Sequence, residues 1–230
     1  MIGVFGDSFA DVKPGEGWVT FLHKDIESHG ASGTSHWWSY QQFLKHHQRY
    51  HTVIFIHTTN SRWPVLSDDV PPGWAYITGF QENYPEEMLE RNRYFLEFFP
   101  DAFRQFISDA IFRSVNEICE QQGKHLINIM AYSHQESHER VKTSFPVFTH
   151  LDDVSRYEKI SYNGDMMSVT EFLHEQRIRD TRICHLSRKN NEQLSRILQP
   201  FLSAGTGTNL IYNLMNYTGW QEQYQSEGMK

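Results

Sequence analysis

Three short apolar runs, Ile2–Phe5, Val53–Ile56 and Leu126–Ala131, constrain the fold more than any other feature of this sequence. Each is continuous rather than alternating and rich in β-formers, the pattern of a strand covered on both faces. Segments with helical periodicity separate them. Trp18–Ile26 places Trp18, Phe21, Leu22 and Ile26 at helical spacing, and Trp37–Tyr50 repeats the pattern more weakly. Asp101–Gln122 aligns Phe103, Phe106, Ile107, Ala110, Ile111, Val115 and Ile118 on one stripe, and Gly123 stops it. A strand over His125–Tyr132 follows. A last helix starts near Ser187 as N-cap, carries Leu194, Ile197 and Leu198, and is kinked or ended by Pro200. Strands alternating with helices imply βαβ units, right-handed crossovers and a parallel sheet. The expected class is α/β, a flavodoxin-like three-layer α/β/α sandwich.

Two stretches exceed the minimal version of that fold. Residues 61–100 hold seven of the prolines and glycines, among them Pro64, Pro71, Pro72 and Pro85, with many aromatics between. They read as a long loop, with a helix around Glu86–Phe98, that serves as a functional segment or lid. Residues 133–180 form a second insertion. Within it Tyr157–Tyr162, Asn163-Gly164 and Asp165–Val169 read as a β-hairpin with a type I′ turn. The expected division is a domain over 1–204 and a C-terminal extension over 205–230. In the extension, Leu210, Ile211, Leu214 and Met215 suggest a short helix packed on the body or on a neighbouring chain.

The 230 residues suffice for one α/β domain with a sizeable core. The net charge is −7 and there is no Lys- or Arg-rich block, which argues against nucleic-acid binding. No apolar stretch has the length of a membrane span. Two cysteines, Cys119 and Cys184, make neither a disulfide framework nor a metal motif. A strand that starts at residue 2 leaves no room for a signal peptide, so the expected setting is a cytoplasm, or a virion. Aromatics reach 14%, which suits a large core or a platform for sugar rings and partner proteins.

The residues that can carry chemistry sit where this fold would put a crevice. Gly6-Asp7-Ser8 follows the first strand, at the carboxyl end where open α/β sheets bind ligands. Gly30-Ala31-Ser32-Gly33 comes next, then Thr58-Thr59-Asn60 directly after the second apolar run, then His185-Leu186-Ser187 before the last helix. Ser, Gly, Asn and His in that order resemble the four blocks of the SGNH (GDSL-type) serine hydrolases, over roughly residues 2–202. The resemblance implies Ser8 as nucleophile and His185 as its base, because a serine hydroxyl needs a base to become nucleophilic. It also implies an oxyanion hole from the Ser8 N–H, the Gly33 N–H and the Asn60 amide. The blocks depart from the family pattern. Gly33 is followed by Thr34 rather than Asp, and Asn60 has Thr58 before it and Ser61 after it in place of Gly and Asp.

The third triad member is displaced. Arg182 stands where the family carries Asp, and the nearest carboxylate is Asp180, five residues before His185. Asp180 would fix the imidazole tautomer, or a backbone carbonyl would do so and leave a Ser–His dyad. Asp180 is equally suited to pairing with Arg177, Arg179 or Arg182. His134 and His138 have the spacing of one helical turn but lack a third ligand. Neither a metal nor a cofactor is expected. Trp63, Trp74 and Tyr76 are candidates for substrate contact, or for packing the loop on the body.

The activity implied by the resemblance is hydrolysis of an O-acyl (often acetyl) carbohydrate or another small ester. The alternative is a binding or virion structural protein that keeps the scaffold without turnover. Compact sequences of this kind look similar to proteins encoded by bacteriophages. Self-association or virion assembly would then use the C-terminal extension.

Overall fold

The computed structural model describes residues 1–12, 17–22, 25–60, 62–64, 75–77, 99–132, 143–157, 159–162, 165–168, 186, 188–203 and 211–220. The apolar runs become the middle of one sheet: β1 (Ile2–Gly6), β3 (Thr52–His57) and β6 (His125–Met130). Three strands complete it: β2 (Ile26–Gly30), β7 (Val147–Thr149) and β10 (Ile211–Asn213). The order is β10-β7-β6-β3-β1-β2, with every pairing parallel. The first five of these strands in chain order therefore lie 2-1-3-4-5, the flavodoxin-like arrangement.

Strand alternation divides the core into two faces. Val4, Ile54, Ile56, Ile127 and Ile129 point to one side, where they meet Trp18, Val19 and Leu22 of α1 (Trp18–Leu22) and Leu194, Ile197 and Leu198 of α5 (Arg188–Leu198). Phe5, Val53, Phe55 and Leu126 point to the other. There they meet Phe43 of α2 (His36–His46) and Ile111, Val115 and Cys119 of α3 (Asp101–Gln121). Neighbouring residues of β3 serve opposite faces, so the continuous apolar run is the signature of burial on both sides. A short helix α4 (Leu151–Tyr157) follows β7.

Helix ends follow local chemistry. Ser35 caps α2, its Oγ accepting from Trp38 N at 3.2 Å. At the end of α3, Lys124 N donates to Cys119 O at 2.8 Å and Gly123 N to Glu120 O at 3.1 Å, a Schellman closure. Pro200 lies in a single 3-10 turn, Gln199–Leu202, that ends α5.

Several expectations change. The first helix ends at Leu22, and Ile26 opens strand β2 instead of closing the helix. Ile26-Glu27-Ser28-His29-Gly30 is half-buried throughout, because an edge strand covers only part of its surface, and so it lacks the apolar run of the central strands. The second helix stops at His46 and continues as a 3-10 turn over His47–Arg49. The 61–100 loop contains an antiparallel strand pair, β4 (Arg62–Pro64) with β5 (Ala75–Ile77). The helix expected around Glu86–Phe98 lies outside the described residues. The hairpin of the second insertion is present as β8 (Lys159–Tyr162) and β9 (Asp165–Ser168), with Tyr162 opposite Asp165. In the extension, the expected short helix is the sixth sheet strand β10, followed by one 3-10 turn, Leu214–Asn216. Tyr212 stacks on Phe148 with ring centroids 5.0 Å apart, so pairing and aromatic packing with β7 outweigh the helical spacing. Among the described residues, no helix is long and apolar enough to cross a membrane.

Candidate functional site

Ser8, Gly33 and Asn60 follow the carboxyl ends of β1, β2 and β3, three adjacent strands whose order reverses at β1. The turn after β1 is built by Asp7. Its carboxylate is fully buried and accepts from Phe9 N at 3.1 Å, Thr58 Oγ1 at 2.6 Å and Arg62 Nη1 at 2.5 Å. Ala10 N donates to Asp7 O and Asp11 N to Ser8 O, which closes the turn around the serine. Ser8 itself is buried, at 8% exposure. The Asp7 network ties the turn to the segment that follows β3.

The second block is tied to the same turn. Asp11 Oδ2 accepts from Ser32 N at 3.2 Å and from Ser32 Oγ at 2.9 Å. Gly33 has φ +77, a left-handed backbone that favours glycine, and among the described residues no atom beyond its chain neighbours lies within 4 Å of where a Cβ would stand. The third block is tied on the other side through Thr58 and Arg62, which flank Asn60 and bind Asp7. Arg62 Nη2 also donates to Tyr132 Oη at 2.9 Å, at the end of β6. Asn60 is half-buried, and its Nδ2 donates to Gln105 Oε1 of α3 at 2.8 Å. The amide expected to face an oxyanion thus has one proton engaged by Gln105.

His185 and Asp180 lie outside the described residues, as do Trp74, His134 and His138. Leu186, next to His185, is described and buried. Its carbonyl accepts from Asn191 Nδ2 at 2.9 Å, Asn191 Oδ1 accepts from Trp18 N at 3.0 Å, and Trp18 Nε1 donates to Phe9 O at 2.8 Å. A short hydrogen-bonded path therefore joins the neighbour of His185 to the neighbour of Ser8. Trp63 and Tyr76 are register partners across the β4–β5 pair. That pair starts at Arg62, which binds the residue before Ser8.

Sequence reasoning missed a buried polar chain beneath this edge of the sheet. Phe112 O can only accept, so Asn116 Nδ2 donates to it at 2.7 Å. Asn116 Oδ1 then accepts from Asn128 Nδ2 at 3.2 Å and from Thr143 Oγ1. Asn128 Oδ1 in turn accepts from His57 Nε2 at 2.9 Å, His57 Nδ1 from His36 Nε2 at 3.0 Å, and His36 Nδ1 from Ser108 Oγ at 3.2 Å. Every bond follows from the first with both imidazoles neutral. Burial, reinforced by the neighbouring His57, holds His36 well below its usual pKa of 6.5. The available signal was Asn128, a polar residue inside an apolar run, which must find a partner when buried. A cavity of about 210 Å³ opens between α2 and α3, bordered by Asn60, His36 and Ser108. Among the described residues, no cluster of three or more metal-ligating side chains occurs.

No protein-family model, curated protein or solved structure matches this chain.

Proposed function

We propose that this protein is an SGNH-type serine ester hydrolase acting on an O-acyl carbohydrate or another small ester. The observation that carries the reading is the convergence of Ser8, Gly33 and Asn60 at the carboxyl ends of three adjacent parallel strands, cross-tied by Asp11–Ser32 and Asp7–Thr58. The path Phe9–Trp18–Asn191–Leu186 supports His185 as the partner of Ser8.

In this reading Ser8 Oγ attacks the ester carbonyl while His185 takes its proton. The Ser8 N–H, the Gly33 N–H and the second Nδ2 proton of Asn60 receive the developing oxyanion. His185 then protonates the departing alcohol, and water frees the acyl group by the reverse proton path. Asp180 or a backbone carbonyl orients the imidazole. Trp63, Trp74 and Tyr76 contact the substrate from the 61–100 segment, whose first strand is rooted beside the Ser8 turn.

Two observations favour the alternative, a binding or virion structural protein on the same scaffold: Ser8 is buried, and the Asn60 amide is held by Gln105. A serine-reactive fluorophosphonate and a panel of p-nitrophenyl esters separate the two. Labelling at Ser8 with turnover supports the hydrolase. A folded protein that neither labels nor turns over is the scaffold alone.

A further inference from the structure

We propose that the cavity between α2 and α3 is the acyl pocket of the Ser8 site and selects an apolar acyl group of about six carbons over acetyl. This rests on the hydrolase reading and names the half of the ester that the cavity takes. The cavity holds about 210 Å³. An apolar cavity of about 150 Å³ accommodates benzene, so a hexanoyl chain or a benzoyl ring fits, while an acetyl methyl leaves most of the space empty.

The lining decides the chemistry. Trp37 of α2 and Ile107 and Ile111 of α3 make the cavity almost wholly apolar. The polar side chains on its border are already engaged. His36 Nδ1 accepts from Ser108 Oγ at 3.2 Å, Arg62 binds Asp7 and Tyr132, and Arg104 pairs with Asp101. A sugar hydroxyl placed there would give up its hydrogen bonds to water without replacement, whereas an alkyl or aryl group has none to lose. The alcohol half of the ester therefore stays outside, and the acyl half enters.

Two contacts set the cavity beside the reacting carbonyl. Asn60, whose second Nδ2 proton receives the oxyanion in this reading, borders the cavity, and its first is held by Gln105 of α3, the helix that forms one wall. Arg62, on the same border, binds Asp7, the residue before Ser8. A carbonyl held between Ser8 and Asn60 thus stands at the edge of the cavity.

The test is kcat/KM on p-nitrophenyl acetate, butyrate, hexanoate and decanoate, each divided by its spontaneous hydrolysis rate. The value should rise about fourfold per methylene up to hexanoate, the effect of burying each one in an apolar site, and level off by decanoate. Ile107→Trp, which fills the cavity from its apolar wall, should lower the hexanoate-to-acetate ratio at least about tenfold. Should that variant fail to fold, Trp37→Ala, at a position 43% exposed, must lower the same ratio. Acetate turned over as well as hexanoate, or a ratio that the wall variants leave untouched, overturns the acyl pocket and leaves the hydrolase standing. Absence of turnover with every ester removes the hydrolase reading, and the pocket with it.

Discussion

Asp7 and Arg62 form a 2.5 Å ion pair in which the carboxylate is fully buried and the guanidinium side chain is 9% exposed. The pair joins the turn that holds Ser8 to the segment that leaves β3 after Asn60. Removing one partner leaves an uncompensated buried charge, which typically costs about 3–5 kcal/mol. Arg62→Met should therefore lower unfolding free energy in urea by about that amount. Asp7→Asn with Arg62→Met together should recover part of it; a double variant no better than the single would show that the charge is not the cause.

Ser8→Ala should abolish ester hydrolysis. Although the serine is buried, the change removes one hydroxyl, and a typical hydrogen bond contributes about 0.5–1.5 kcal/mol. The melting temperature should fall by a few degrees at most. Turnover by the folded variant would remove Ser8 as nucleophile.

Asn60→Ala should reduce kcat by about 10²–10³ with little change in KM, because an oxyanion donor acts on charge present only in the transition state. Gln105 holds that amide at 2.8 Å, so Gln105→Ala should lower kcat by a smaller factor through loss of orientation. Steady-state kinetics on both variants checks this. An Asn60→Ala effect confined to KM would make Asn60 a ground-state contact.

The His36–His57 pair predicts acid lability. His36 is held below 6.5 in the fold by burial, and burial likewise lowers His29 and His47. Below pH 6.5 the unfolded chain takes up protons that the fold refuses. Stability is therefore complete above that pH and falls as pH drops toward the folded values, by up to about 1.4 kcal/mol per pH unit per group. Urea midpoints at pH 7.5 and 5.5 measure it. The lowered Glu27 acts below its own usual value of 4.5 and stays outside this window. A midpoint that does not change between these two values would contradict the assignment of neutral buried imidazoles.

Gly30→Ala should damage both fold and turn. A Cβ there would stand 2.5 Å from the carbonyl carbon of Ala10, in the turn that begins at Asp7. Relieving the overlap moves backbone, and overpacking of this kind costs about 1–3 kcal/mol. Among the described residues a Cβ on Gly33 meets no atom, so Gly33→Ala is strained by its φ of +77 alone, and hydrogen exchange at Ser8–Asp11 should rise in the first variant and not in the second.

The sequence by itself determined the central strands and the longest helix. Ile2–Phe5, Val53–Ile56 and Leu126–Ala131 are buried on both faces, so their composition alone reports their environment. The helix Asp101–Gln121 is present as its period indicated, but its buried face runs through Ser108, Ile111, Phe112, Val115, Asn116 and Cys119, while Phe103, Phe106 and Ala110 of the expected stripe are exposed. It also marked Ser8 and Asn60 as residues that follow strands, since those two strands are legible, whereas the strand before Gly33 is β2. The edge strands β2, β7 and β10 were decided by tertiary structure. They are short or half-buried, and what holds them is pairing with a neighbour far away in the chain. The same is true of the polar contacts. Asp7 meets Arg62 across 55 positions and His57 meets Asn128 across 71. No local pattern encodes such pairs, because burial makes a polar group need a partner while only the packing of the sheet decides which one it gets.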